Sequence, residues 1–222
     1  MSQRLPRTER AQFLRLAIAS EFILLLVALV LGWFLGYPGW SHVRLSGKAI
    51  VLGLLATLPL IALLLLTYQS RWAVLVEFRE LVSRLLGRSL VQCNWLDLCV
   101  VALLAGVCEE WLFRGVLLPW LSVWNVIFGL IASSLIFGLC HALTTTYFCF
   151  ATLMGIYLAA TLWWTEEANL IVPITCHAVY DLIAFAVVRR SYRLGEKQIL
   201  PQVEQLGTPV NTPNNPVFPV SQ

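Results

Sequence analysis

Charged residues are scarce in this 222-residue chain. Only 12% of its residues are charged and 59% are hydrophobic, and the mean hydropathy is +0.79. An ordinary soluble domain carries roughly 25% charged residues, so this chain has too few to cover a globular surface. Disorder is excluded as well, because it requires low hydrophobicity and high charge. The remaining class is a polytopic membrane protein, in which each span uses about 20 apolar residues.

Several familiar functional signals are also missing. The six cysteines include no CxxC pair and mostly fall in apolar runs, which indicates small buried thiols instead of disulfides or a zinc site. The net charge is only +3, so no nucleic-acid partner is expected. The chain has no Gly-rich phosphate loop, no HExxH zinc motif and no GxSxG nucleophile elbow.

The apolar runs predict an all-α fold, a polytopic membrane helical bundle with about six transmembrane helices. The runs are Ala17 to Gly36, Ala49 to Tyr68, Leu96 to Leu118, Leu121 to Leu143, Tyr147 to Trp164 and Leu170 to Val188. Between the second and third runs, apolar residues recur at three- and four-residue steps among charges, which predicts one interfacial amphipathic helix. Pro119 is expected to end the third span, and Pro173 to kink the sixth.

The chain divides into three regions. Residues 1–95 hold two spans and the interfacial helix, residues 96–188 hold four spans, and residues 189–222 form a polar, proline-rich tail that is expected to be flexible. The side that carries both termini collects twelve of the fifteen basic residues, whereas the other side has Arg44 and Lys48. By the positive-inside rule the termini are expected in the cytoplasm, and the arginine-rich start fits a bacterial plasma membrane.

Six polar residues break the apolar pattern of the last four spans. They are Glu109, Glu110, Arg114, His141, His177 and Asp181. Each charge at mid-membrane costs roughly 2.5–3.5 kcal/mol, so these groups must pair with one another or line a wet cavity. Their concentration in three spans favours a functional site. Glu21 and Asp97 lie near span ends, where we expect them to reach the interface and to have no role.

The spacing of these residues indicates how they meet. Glu110 and Arg114 are four apart and can form an ion pair on one helix face, although such a pair could be purely structural. Glu109 points about 100° away from its neighbour and is expected to face a water or a histidine. A carboxylate and a histidine around a water can perform general-base hydrolysis. The same buried carboxylates could instead serve an ion- or proton-coupled transporter.

Three short motifs contain these polar residues: the residues from Glu109 read EExxxR, those from Phe137 read FxxxH, and those from His177 read HxxxD. In this order they resemble the CPBP family of intramembrane proteases, the CAAX protease and bacteriocin-processing family also called Abi. The resemblance covers residues 96–188 and implies that they form a catalytic core. It implies an endopeptidase in the lipid bilayer that hydrolyses a membrane-associated peptide or protein. A non-catalytic scaffold or immunity protein of the same family is the alternative.

The resemblance also implies roles for individual residues. Glu109 would activate a water with His141, and His177 and Asp181 would stabilise the oxyanion, while the Glu110–Arg114 pair would orient the site. The third motif often ends in Asn in the family, whereas here it ends in an aspartate. Family members include both metalloproteases and glutamate-dependent enzymes. The site therefore uses either no cofactor or a zinc ion held by Glu109, His141 and His177.

Overall fold

The computed structural model describes residues 8–206, and the side chains of residues 9–195, as helices joined by short connections. The helices are α1 (Thr8–Leu35), α2 (Gly47–Gln69), α3 (Ala73–Gln92), α4 (Trp95–Glu110), a π-helical segment (Trp111–Leu117), α5 (Leu118–Leu121), α6 (Val126–Cys140), α7 (Thr145–Thr161) and α8 (Ile171–Leu206). The described residues contain no strand. Within α1, α2 and α8, three stretches are long and apolar enough to cross a membrane. The prediction of an all-α membrane bundle is therefore confirmed.

Helices α6 and α7 are shorter than the two apolar runs that contain them. They have 15 and 17 residues, which at 1.5 Å per residue gives about 22 and 25 Å. The hydrocarbon core of a bilayer is about 30 Å thick. The helix α6 ends at Cys140 with His141 as its C-cap, and the Thr144 hydroxyl caps α7 by accepting the Tyr147 N–H. The two helices form a short hairpin whose turn is residues 141–144.

The prolines do not act where the sequence suggested. The helical path continues past Pro119 to Leu121, so the prediction that this residue ends the third span is wrong. Pro173 lies in the first turn of α8, where its missing N–H leaves no helical hydrogen bond unmade. The predicted kink of the sixth helix at Pro173 is wrong for the same reason, because a proline in the first turn does not interrupt the helical hydrogen bonds.

Helix α8 is the centre of the bundle and packs against α2, α3, α4 and α7. Small residues allow the close approach of these helices, as is common in membrane proteins. A methyl group at Gly53 of α2 would lie 2.7 Å from the Val172 carbonyl oxygen of α8. A methyl group at Gly106 of α4 would lie 2.9 Å from the Ala178 Cβ. This packing fixes α4 against α8.

Polar contacts tie the connections at each end of the bundle. At one end the Leu170 N–H donates to the His42 carbonyl at 2.8 Å, and Arg44 pairs with Glu167. At the other end Arg10 of α1 forms two 2.6 Å hydrogen bonds with the Asp97 carboxylate at the start of α4. The connection before α2 and the connection before α8 therefore lie together at one end of the bundle.

The interfacial helix and the tail are placed as follows. Helix α3 packs its apolar face on α8 and neighbouring helices, and the Phe78 ring stacks on Phe150 of α7 at 4.9 Å. Helix α8 continues through Leu206, so the first part of the predicted tail is helical. The remainder of that prediction, residues 207–222, lies outside the described residues.

Candidate active site

Three helical segments bring the six predicted site residues together. The end of α4 and the π-helical segment carry Glu109, Glu110 and Arg114, the C-cap of α6 is His141, and α8 carries His177 and Asp181. Spans of full length would have set the histidine of α6 apart in depth from the glutamates of α4. Because α6 ends early, that histidine instead lies beside them.

The centre of the site is a fully buried ion pair. The Arg114 Nη1 donates to the Glu110 Oε1 at 2.9 Å, and these residues are 1% and 0% exposed. The Arg114 Nη2 donates to the Gly155 carbonyl of α7 at 2.7 Å, and its Cζ lies 4.7 Å from the Phe137 ring centroid. The guanidinium is therefore fixed from α4, α6 and α7 together.

The same glutamate orients a histidine. The Nδ1 of His177 lies 2.8 Å from the Glu110 Oε1, and it is the donor because the carboxylate of an ion pair only accepts. This contact turns the His177 Nε2 towards Asp181 Oδ2, at 3.6 Å, and Glu109 Oε2, at 4.0 Å. One buried carboxylate thus fixes both the arginine and the orientation of the imidazole.

The second histidine approaches Glu109 from the opposite side. The Nδ1–H of His141 donates to the Phe137 carbonyl at 2.9 Å, which leaves the Nε2 without its proton in the neutral ring. This Nε2 lies 3.8 Å from the Glu109 Oε2. The gap is too wide for a direct hydrogen bond, and one water molecule could bridge the two atoms.

A cavity of about 300 Å³ opens beside these groups. Glu109, His141, His177 and Asp181 all line it, with apolar side chains around them. The Glu109 Oε2 is buried and accepts no hydrogen bond from the residues that the structure describes. An acceptor at a cavity wall that has no hydrogen-bond partner is suited to bind a water or a substrate group.

The local sequence explains how α4 presents its glutamates. Asn94 and Asp97 form a reciprocal capping box that fixes where α4 begins. After Glu110 the helix widens into the π-helical segment, in which the Leu118 N–H bonds to the Phe113 carbonyl five residues back. Single-turn π segments are rare and occur often at functional sites. Pro119, which has no N–H, lies just beyond the widened turn.

One known protein family matches the part of the chain that contains the site. Residues 91–183 match the family model described as type II CAAX prenyl endopeptidase Rce1-like. The match agrees with the resemblance of the three motifs to the CPBP family, and it covers less than half of the chain. The match runs from the last residues of α3 into α8 and includes all six residues of the site. No curated protein and no solved structure matches the chain significantly.

The donor atoms of the site converge without the spacing of a bound zinc ion. A tetrahedral zinc with bonds of about 2.1 Å needs donor atoms about 3.4 Å apart. The Glu109 Oε2 lies 3.8 and 4.0 Å from the Nε2 atoms of His141 and His177. Within residues 9–195 no group of three such side chains has the arrangement of a metal site. The predicted zinc ligands therefore converge, but they do not fit the ion as they stand.

A carboxylate of α1 for which no role was predicted also lines this cavity. Glu21 of α1, which was expected only to reach the interface, is 9% exposed and lines the same cavity as Glu109, His141, His177 and Asp181. Its position inside an apolar run was the signal that could have found it. By contrast, Asp97 lies at the end of the bundle and pairs with Arg10, as a structural residue does.

Proposed function

We propose that the protein is an intramembrane endopeptidase that hydrolyses a peptide bond of a membrane-associated peptide or protein with a water activated by Glu109. The observation that carries this proposal is the Glu109 Oε2, which has no hydrogen-bond partner among the described residues and lies 3.8 Å from the His141 Nε2. The family match supports an activity of this class.

The proposed reaction begins with a water held between Glu109 and His141. The Glu109 carboxylate takes a proton from this water, and the oxygen attacks the carbonyl carbon of the peptide bond. The resulting oxyanion lies near His177, whose Nε2–H can stabilise it while Nδ1–H remains bonded to Glu110. Glu109 then returns the proton to the amide nitrogen, and the C–N bond breaks. Asp181 lies 3.6 Å from the His177 Nε2 and helps to position this imidazole.

The membrane setting of this reaction is part of the proposal. We place both termini in the cytoplasm of a bacterial cell with the protein in its plasma membrane, on the basis of the twelve basic residues on that side. The family description names CAAX prenyl endopeptidases, so a lipid-modified C-terminal peptide is the first substrate class to test.

The experiment is a cleavage assay on the purified full-length protein in lipid nanodiscs. The probes are a farnesylated peptide ending in a CAAX sequence and an unmodified apolar peptide, each with a fluorophore and quencher. We expect Glu109→Gln to lower kcat/KM by about 10²- to 10⁴-fold. The matched control is Glu77→Gln, an exposed carboxylate on α3, which should leave cleavage unchanged.

Three outcomes would contradict parts of this proposal. Cleavage that survives Glu109→Gln would exclude the assigned base. Ion flux into proteoliposomes without any cleavage would favour a transporter. Loss of cleavage on chelation, with recovery on added zinc, would favour the metal alternative with Glu109, His141 and His177 as ligands.

A further inference from the structure

Helix α1 carries a buried carboxylate that the proposed reaction does not use. Glu21 is 9% exposed, and its Oε2 is fully buried with no hydrogen-bond partner among the described residues. From Ala17 to Leu35 the other polar side chain of α1 is Ser20, whose hydroxyl donates to the Ala17 carbonyl. A carboxylate inside a membrane helix is costly, so it is retained for a partner that the described residues do not supply.

The position of Glu21 indicates where that partner lies. Its side chain lines the cavity that Glu109, His141 and His177 also line. The cavity extends between α1, α2 and α3, and Thr67 near the end of α2 lines it as well. Glu21 and Glu109 therefore line one cavity, and a molecule that fills this cavity contacts both residues.

The hydrogen-bonding capacity of the unpaired Glu21 Oε2 defines this partner further. A carboxyl oxygen accepts hydrogen bonds, so its partner must bring an N–H or O–H donor. A peptide in extended conformation presents a backbone N–H at every non-proline residue, and each one needs an acceptor when it leaves water for an apolar cavity. Most of the side chains lining the cavity are apolar, and its carboxylates are Glu109 and Asp181, which the proposed reaction uses, and Glu21, which it does not.

We propose that Glu21 binds the peptide substrate by accepting a hydrogen bond from one backbone N–H, which sets the register of the peptide against Glu109. This inference rests on the proposed peptidase function and names a substrate-binding residue outside the family match at residues 91–183. Helix α1 is thereby part of the active site. The register of the peptide decides which carbonyl carbon faces the activated water.

The test combines substitutions at Glu21 with a scan of peptides that are N-methylated at one position each. An N-methyl group removes one backbone donor and leaves the side chains unchanged. Binding of the fluorescent peptides to the full-length protein carrying Glu109→Gln is measured by anisotropy, and cleavage is measured in the protein with Glu109 intact. Both Glu21→Leu and Glu21→Gln are made, with Ser20→Ala as the neighbouring control on α1.

One position in the peptide should respond differently from the others. Methylation there should weaken binding about tenfold when Glu21 is present, which is the effect of losing one hydrogen bond to a charged group. Glu21→Leu should weaken binding of the unmethylated peptide by a similar factor and abolish the effect of methylation at that position. Glu21→Gln keeps an acceptor oxygen and should stay within about threefold of the parent. In cleavage, Glu21→Leu should raise KM more than it lowers kcat.

The outcomes separate this inference from the proposed function. Binding with the expected position dependence but no cleavage would overturn the peptidase and support the role of Glu21. Cleavage in which methylation and Glu21→Leu act additively at every position would overturn the role of Glu21 and leave the peptidase standing. Equal effects of Glu21→Leu and Glu21→Gln on kcat, with KM unchanged, would also overturn it. Ser20→Ala should bind every peptide as the parent does.

Discussion

The chain contains two Glu–Arg pairs with the same spacing in opposite environments. Glu110 and Arg114 lie 2.9 Å apart with side chains that are 0% and 1% exposed, whereas Glu80 and Arg84 on α3 lie 3.3 Å apart with side chains 59% and 66% exposed. Both pairs join residues four apart in sequence. The interior pair has further partners in Gly155 and His177.

The difference shows that environment, and not spacing, decides what such a pair does. Water already solvates both members of the exposed pair, so little is gained or lost when they meet. The buried charges have left water, and each depends on the hydrogen bonds that replace it. The interior pair is therefore costly to break, and it also fixes the position of His177. The exposed pair holds no such residue.

The largest expected effect on stability is at the interior pair. Arg114→Met should lower the free energy of unfolding by about 3–5 kcal/mol, because Glu110 is left as an uncompensated buried charge. Unfolding in mixed detergent and SDS, followed by tryptophan fluorescence, measures this. A loss no greater than that of Arg84→Met would break the comparison between the two pairs.

The double variant Glu110→Gln with Arg114→Met separates stability from function. Because both charges are removed, we expect stability to recover to within about 1–2 kcal/mol of the parent. Cleavage should nevertheless stay at least about tenfold low, since His177 has lost the carboxylate that orients it. The same unfolding and cleavage assays apply. Full recovery of cleavage would show that the pair only stabilises the fold.

The close packing of α2 on α8 offers a second contrast between the interior and the end of the bundle. Gly53→Ala should lower the unfolding free energy by about 1–3 kcal/mol, because its methyl group would meet backbone of α8 at 2.7 Å. The control is Gly47→Ala at the start of the same helix, where nothing lies within 4 Å. Similar unfolding curves for the two variants would contradict this packing.

The smallest expected effect is at the exposed pair. Arg84→Met should change the unfolding free energy by about 0.3–0.5 kcal/mol, and the change should shrink further in high salt. Unfolding at two salt concentrations measures both. A loss of more than about 1 kcal/mol would mean that α3 depends on this pair in a way that its exposure does not indicate.

The cluster of site residues could be predicted from sequence because membrane burial makes each polar residue costly. That rule, with the four-residue spacings, predicted that Glu109, Glu110, Arg114, His177 and Asp181 meet. The shortness of α6 could not be predicted in the same way. The apolar run continues through the turn at residues 141–144, and hydropathy alone does not report where helical hydrogen bonding stops.

Glu21 shows a second limit of sequence reasoning. Its distance from the start of the apolar run suggested a side chain that reaches the interface. Whether a residue on α1 faces lipid or the cavity depends on the rotation of α1 against α4, and the nearly uniform apolar sequence around Glu21 does not encode that rotation. Only the packed structure shows that this carboxylate lies inward.

The short hairpin of α6 and α7 has a consequence for the lipid around it. Two neighbouring helices of about 22 and 25 Å are mismatched to a hydrocarbon layer of about 30 Å, so the bilayer beside them must thin or the helices must sink to one side. Thinning of the bilayer, or a shift towards the side of His141, shortens the distance between bulk water and this residue at the tip of the hairpin. We therefore expect the thickness of the surrounding membrane to affect hydration of the site, and lipids with longer acyl chains should slow the proposed cleavage without touching any residue of the protein.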